Sequence, residues 1–335
     1  MTMRTLTTIL LVSALSAQHI IACCGVGPEG QTVRFGTQQN VVIYNSKTQT
    51  EYFIRNARFH SEADNIGFIA PTPTQPEITK TDRAIFSFLE SKKPMELRGK
   101  GMTGSVAPAS AGVEVVDVVE VAGYKATILK ATDPNALTQY LKEHKYATSP
   151  ELTKWTDFYI KKGWYLTAFQ VINKLEMLET GVLCMKFKTD KPFNPYYVPS
   201  DNIDSPAGLS ISFISDQNLG ATIGGTKPYQ EPRWEAQLTA QDMKRLGGFL
   251  KTPSSDLPQT AFLSQYHDNT FPNHQSDDLY FVPQSISKNL NASSGIVERG
   301  GNQNLPIAII AGGLVTGISL VALKNFRKKP GTKSA

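Results

Sequence analysis

Acidic residues are missing from both ends of this chain. Residues 1–22 hold one basic side chain, Arg4, and no Asp or Glu; residues 305–335 hold Lys324, Arg327, Lys328, Lys329 and Lys333, again without an acid. All 29 acids therefore lie in residues 23–304, against 28 Lys and Arg, so that this segment is close to neutral. The net charge of +5 and the pI of 8.9 belong to the ends. The basic pI therefore gives no argument for a nucleic-acid partner of the folded body.

Catalytic signatures are scarce as well. There is no Gly-x-Ser-x-Gly elbow, no His-Glu-x-x-His, no phosphate-binding loop and no dinucleotide fingerprint after a strand. Gly220-Ala221-Thr222-Ile223-Gly224-Gly225 has the wrong spacing for the last of these and reads as a turn. No cofactor is implied. Beyond residue 22 only His60, His144, His267 and His274 remain. His267-Asp268 and His274, with Asp277-Asp278, are the one cluster of ligand-type residues, and imidazole and carboxylate oxygens suit a divalent ion. A solvated polar loop gathers the same residue types, and that is the reading we prefer.

The apolar runs at the two ends specify a topology. Arg4 precedes Leu6 to Ala17, the pattern of a secretory signal peptide over residues 1–22. Leu305 to Leu323 is uncharged and spans roughly 28 Å as a helix at 1.5 Å per residue, enough for a bilayer core. Lys324 and the cations after it suit a cytoplasmic flank, residues 324–335. Residues 293–304, rich in Ser, Gly and Asn, read as a stalk. The expected location is thus the cell membrane, single-pass, with residues 23–304 extracytoplasmic. Gly313 and Gly317 form a Gly-x-x-x-Gly pair that suits a homodimer of helices.

Three cysteines, Cys23, Cys24 and Cys184, leave one spare in an oxidising compartment. Alternation along Val182 to Lys188 puts Cys184 with Lys186 and Lys188, on what reads as the less buried face. A bridge to Cys23 or Cys24 closes a loop of about 160 residues, nominally worth ~4–5 kcal/mol. Ile20-Ile21-Ala22-Cys23 also resembles a lipobox, in which Cys23 is lipidated and Cys24 pairs with Cys184.

Residues 23–292 read as α+β, mainly antiparallel sheet with an inserted helix pair, to which the C-terminal transmembrane helix is added; two subdomains split near 190–205 are compatible with the pattern. Asn40–Tyr44 and Thr50–Arg55 form a hairpin. Ile66–Ala70 is a strand that Pro71 and Pro73 end. Residues 82–91 are a short helix, and Val113–Val121 with Tyr124–Leu129 a second hairpin. Asp133-Pro134 and Ser149-Pro150 are two helix starts, each a capping residue followed by a first-turn proline. Trp155 and Tyr159 recur at helical spacing as core. Trp164–Leu175 and Val182–Lys188 follow as neighbouring strands. Leu209–Ser215, Thr260–Tyr266 and Leu279–Pro283 are further strands, and Thr239–Leu246 is a helix ended by Gly247-Gly248. Tyr196-Tyr197, between prolines, reads as exposed.

Several of these motifs recur in order: Ala22-Cys23-Cys24-Gly25, Gly67 to Pro73, Gly123-Tyr124-Lys125-Ala126, the stretch Asp133 to Leu141, Glu143 to Tyr146, and Tyr159 to Tyr165. Together they resemble the bacterial domain-of-unknown-function family 2330 over roughly residues 22–290. The resemblance implies a secreted or surface-held bacterial ectodomain and no catalytic residues. The expectation is a membrane-anchored extracytoplasmic protein that binds or organises an envelope protein or glycan; the alternative is an envelope hydrolase with an unrecognised site.

Overall fold

The structure is a computed structural model that describes residues 25–28, 34–56, 58–60, 65–94, 118–131, 133–172, 178–179, 181–202 and 207–283. All of these belong to one unit of the chain, residues 1–284. The signal-like segment, Cys23, Cys24, the stalk, the 305–323 run with Gly313 and Gly317, and the basic tail lie outside the described residues. Among the described residues no helix is long and apolar enough to cross a membrane.

Among the described residues there are four α-helices and four sheets. The largest sheet has seven strands in the order β17 (Trp234–Leu238), β18 (Ala261–Asp268), β14 (Leu209–Ser215), β3 (Gln38–Asn45), β4 (Thr50–Asn56), β12 (Val182–Lys188) and β7 (Glu77–Thr81). All its pairs are antiparallel except β3 with β14. It takes strands from both sides of residues 190–205. A five-stranded sheet runs β1 (Gly25–Val26), β6 (Gly67–Thr72), β10 (Tyr165–Val171), β9 (Tyr124–Leu129) and β8 (Val118–Val121). A four-stranded sheet joins β13 (Phe193–Asn194), β19 (Leu279–Pro283), β15 (Leu219–Ile223) and β16 (Lys227–Pro228). Three short strands, β11 (Leu178–Glu179), β5 (Arg58–His60) and β2 (Arg34–Phe35), make the last.

Strand alternation sorts the core into layers. One face of the seven-stranded sheet, with Val42, Phe53, Leu183, Met185, Phe187 and Phe213, meets Phe68, Tyr124 and Phe169 of the five-stranded sheet and Leu279 and Phe281 of the four-stranded one. Its other face, with Val41, Ile43, Ile54, Ile214 and Leu263, is covered by α1 (Ala84–Glu90) and α4 (Ala240–Leu250). The outer face of the five-stranded sheet carries Ile69 and Leu166 against α2 (Pro134–Glu143) and α3 (Pro150–Lys161).

The helix pair forms for the reasons its sequence gives. Asp133 accepts from the Asn135 amide at 2.9 Å and Ser149 from the Leu152 amide at 3.0 Å, with Pro134 and Pro150 just inside. Trp155 and Tyr159 are buried against the sheet. Both hairpins form; the second turns on Ala122 and Gly123, both at positive φ.

Other expectations need correcting. β6 continues through Pro71, which pairs with Leu166. β1 covers only Gly67 and Phe68, so a missing donor further along β6 deprives no described strand on that side. β10 and β12 are not neighbours: β10 lies between β6 and β9, whereas β12 lies between β4 and β7. α4 runs through Gly247-Gly248 and ends at Lys251, whose φ is 54°. Gly247 serves close packing instead, because an added Cβ would lie 3.0 Å from the Thr252 carbonyl oxygen. Gly220 to Ile223 is strand β15, and the turn begins only at Gly224. Trp234–Leu238, a strand in the structure, carries no expectation.

Candidate functional site

The residues singled out for chemistry lie at the end of β18, at the start of β19, and on β12. Along β18 alternation sends His267 and Asp268 to opposite faces. His267 Nδ1 is 2.8 Å from the Ser210 hydroxyl on the neighbouring strand. Asp268 accepts from the Tyr196 hydroxyl at 2.5 Å, the Tyr229 hydroxyl at 3.0 Å, and the Thr270 amide and hydroxyl at 2.8 and 2.7 Å. Burial pushes the Asp268 carboxyl up, but these donors outweigh it and hold it below the usual carboxylate value. Asn273 donates to the same Tyr196 hydroxyl at 2.7 Å. His274 is exposed.

Asp278 forms a second, separate node. Fully buried, it accepts from the Tyr159 hydroxyl at 3.0 Å and from the amides of Tyr196 and Tyr197 at 2.8 and 3.0 Å. Burial raises its pKa to about 6, against the opposing pull of those amides, Lys162 and Tyr159. Asp277 is 3.3 Å from Lys162 Nζ, which also donates to the Tyr280 hydroxyl at 3.1 Å and lies over the Phe158 ring. Among the described residues no three His, Cys, Asp or Glu side chains come together as a metal would need. The five metal candidates thus do not assemble into such a group; Asp268 and one oxygen of Asp278 are taken up by protein donors, while Asp278 Oδ2 is buried without a hydrogen-bond partner.

Both nodes converge on residues 193–197, which cross the interior between the sheets. Glu51, fully buried on β4, accepts from the Phe193 amide at 3.0 Å, and burial raises its pKa well above the usual value. Asn40 donates to the Asn194 side chain at 2.8 Å, and the Trp155 indole donates to the Tyr197 carbonyl at 2.8 Å. Tyr196 is tied at both ends, its amide to Asp278 and its hydroxyl to Asp268. It is 1% exposed, which corrects the expectation for Tyr196, whereas Tyr197 is half-buried; the flanking prolines belong to a buried crossing. Sequence reasoning missed Glu51 because a lone acid in a hairpin strand normally faces water. Its same-face neighbours Phe53 and Arg55, equally buried, were the available signal.

Cys184 is a free, buried thiol, which corrects its assignment to an exposed face. Its face of β12 is covered by α4 and α1, so both faces of the strand are interior. It lines a cavity of about 280 Å³ with Tyr52, Glu77, Thr79, Lys186, Leu250 and Thr252. Lys186 lies 3.7 Å from Glu77 and 3.8 Å from Asp256, which balances the local charge. Burial pushes the thiol up to about 12, so at neutral pH it is protonated and a poor nucleophile. Nothing here assembles a nucleophile with a base.

Residues 18–213 match the family described as an uncharacterized protein conserved in bacteria (DUF2330). The chain belongs to this family. The match covers the helix pair and most of both large sheets of this DUF2330 protein, and stops at β14; the Asp268 and Asp278 nodes lie beyond it. No curated protein matches the chain. A crystal structure of baculovirus P35 is similar over 62% of this chain and 74% of that one, at 11% identity and a TM-score of 0.34. At that score the likeness says nothing about fold or function.

Proposed function

We propose that this DUF2330 protein is a membrane-anchored extracytoplasmic protein with a binding or structural role in the cell envelope. The observation that carries the reading is the pair of acid-free ends: a signal-like start, and the uncharged run 305–323 followed by Lys324, Arg327, Lys328 and Lys329. The interior supports a non-catalytic role. Its carboxylates of raised pKa, Glu51 and Asp278, are buried against backbone amides, and neither lines the cavity beside Cys184. An envelope enzyme would want such groups paired at the wall of an open cleft.

The test is protease shaving of intact spheroplasts, followed by fractionation. The expected result is loss of the 23–304 segment while a short C-terminal fragment stays with the membrane. Survival of the large segment, or its recovery in the soluble fraction of lysed cells, sinks the proposal.

A further inference from the structure

One lysine bridges the end of α3 and the start of β19. Lys162, the residue that ends α3, sends its ammonium among four rings: Nζ lies 3.8 Å from the centre of Phe158, 5.2 Å from Trp164, 5.6 Å from Tyr280 and 6.0 Å from Tyr159. It also lies 3.3 Å from Asp277 Oδ1 and donates to the Tyr280 hydroxyl at 3.1 Å. The Lys162 and Asp277 side chains are 29% and 31% exposed, so these contacts sit at the rim of the seam, where water is partly excluded and cation–π attraction is strengthened.

Asp278, the next residue after Asp277, is fully buried and uneven in its contacts. Oδ1 takes the Tyr159 hydroxyl and the Tyr196 and Tyr197 amides, whereas Oδ2 is buried without a hydrogen-bond partner. A proton on Oδ2 therefore breaks no hydrogen bond, while a negative charge there finds no donor. The groups that face this carboxyl are few. α3 brings Tyr159 and Lys162, and the crossing brings its two amides. β19 brings Tyr280, whose phenol is pushed up by burial first and then by Asp278, Asp277 and Glu51. The Gly224 turn donates its amide to the Asp278 carbonyl at 3.0 Å. With Asp278 ionised, Lys162 therefore stands against two adjacent carboxylates; with Asp278 protonated, it stands against one.

We propose that the seam between α3 and β19 is a pH-responsive joint, shut while Asp278 carries a proton and opening more often as Asp278 ionises, with Lys162 the latch that limits the opening. The sign follows from linkage. Burial raises the Asp278 pKa to about 6 in the shut seam, and water returns it toward its ordinary value in an open one. The shut form thus binds the proton more tightly, and its advantage is lost as pH rises through the shut value. Lys162 pulls the other way, because its charge favours the carboxylate without requiring water. The joint goes beyond the envelope reading. An extracytoplasmic location would expose it to external pH, but it is measured on purified protein, so the two can fail separately.

The experiment is hydrogen exchange of the full chain in zwitterionic micelles from pH 5 to 7.5, resolved to single amides and corrected for the intrinsic pH dependence of exchange. Protection of the Tyr196 and Tyr197 amides should fall about tenfold between pH 5 and pH 7, as a carboxyl of pKa about 6 when shut and near 4 when open requires. The Lys92 amide, bonded to the Leu89 carbonyl at the end of α1 on the other face of the seven-stranded sheet, should not follow. Asp278→Asn should flatten the profile. Lys162→Met keeps a stem against the rings and removes the charge; it should lower protection about three- to tenfold at pH 7 and less at pH 5. A lysine that merely packs would give the same loss at both. If Asp278→Asn fails to fold, the parent profile and Lys162→Met decide alone. A flat parent profile, or Tyr196 and Tyr197 amides as protected as the slowest of β3 and β4 at pH 7, overturns the joint. An equal loss at both pH values in Lys162→Met overturns the latch.

Discussion

The two faces of the seven-stranded sheet are equally buried and differently built. The face under α1 and α4 has an apolar centre, with Val41, Ile43, Ile54, Ile214 and Leu263 against Leu246 and Leu250, and its buried polar residues, Asn45, Thr50, Asn56 and Ser212, carry no charge. The face toward the other sheets mixes Phe53, Met185 and Phe213 with buried Gln38, Asn40, Glu51 and Arg55. Apolar burial is non-directional, so the helix-covered face holds its helices by area. The opposite face must also fix an irregular crossing, residues 193–197, whose backbone amides have no ladder to join along most of its length. Glu51 and Asp278 satisfy those amides directly. The comparison teaches that this sheet uses its apolar side for attachment and its polar side for position.

The comparison breaks most sharply at Asp278. Replacing it with alanine removes the acceptor of two buried amides and one hydrogen bond of the Tyr159 hydroxyl at once. At about 1–3 kcal/mol per unsatisfied buried group, partly offset by release of an unfavourably buried carboxyl, the expected loss is about 3–5 kcal/mol in urea unfolding. Asp278→Asn keeps an acceptor and should lose about half of that or less. Leu263→Ala on the apolar face should cost about 2–5 kcal/mol with no such rescue by an isostere. If Asp278→Ala costs under about 1 kcal/mol, the polar face is not bracing the crossing.

The next effect is in pH. Asp278 has a folded pKa of about 6, and burial raises Glu51 well above its ordinary value. Between the unfolded value near 4 and these folded values the native state binds more protons than the unfolded chain. Stability should therefore fall as pH rises through that window, by about 3 kcal/mol for a two-unit shift at Asp278. Asp268 works the other way, since its carboxyl is held low and its contribution is lost as pH falls below about 4. Urea midpoints measured from pH 3.5 to 8 should thus peak in mild acid. Glu51→Gln and Asp278→Asn should each flatten the upper limb. An unchanged slope in both variants would show that the interior carboxylates titrate as if exposed.

Much of the layered α+β body was legible, and the reason is local. Asp133-Pro134 and Ser149-Pro150 announce helix starts through nearest-neighbour chemistry, and alternation along β12 sorted Leu183, Met185 and Phe187 onto one face correctly. What covers a face is not local. Cys184 was misplaced because α4, about 60 residues downstream, closes over it. Tyr196 was misplaced because the acids that fix it come from residues 268 and 278. Sheet partners fail for the same reason: β10 and β12, separated in sequence only by the two-residue β11, join different sheets. The candidate acids were visible as residue types, but their burial and separation depend on those long-range pairings.

The smallest effect sharpens the apolar side of the comparison. Cys184 contributes one sulfur to that layer, beside a cavity that already relieves packing. Cys184→Ala should cost about 1 kcal/mol, less than a large aliphatic truncation there, because the cavity lets neighbours relax. Its chemistry is the more telling readout. A thiol pushed up to about 12 and enclosed by Tyr52 and Leu250 should resist iodoacetamide for hours at pH 7.5 in the native protein, with the modified peptide followed by mass spectrometry. In denaturing urea it should react within minutes. Rapid native labelling would mean that α4 lifts from the sheet often enough to expose the layer. The apolar face would then be the looser of the two, and attachment by area alone would be insufficient to hold that helix.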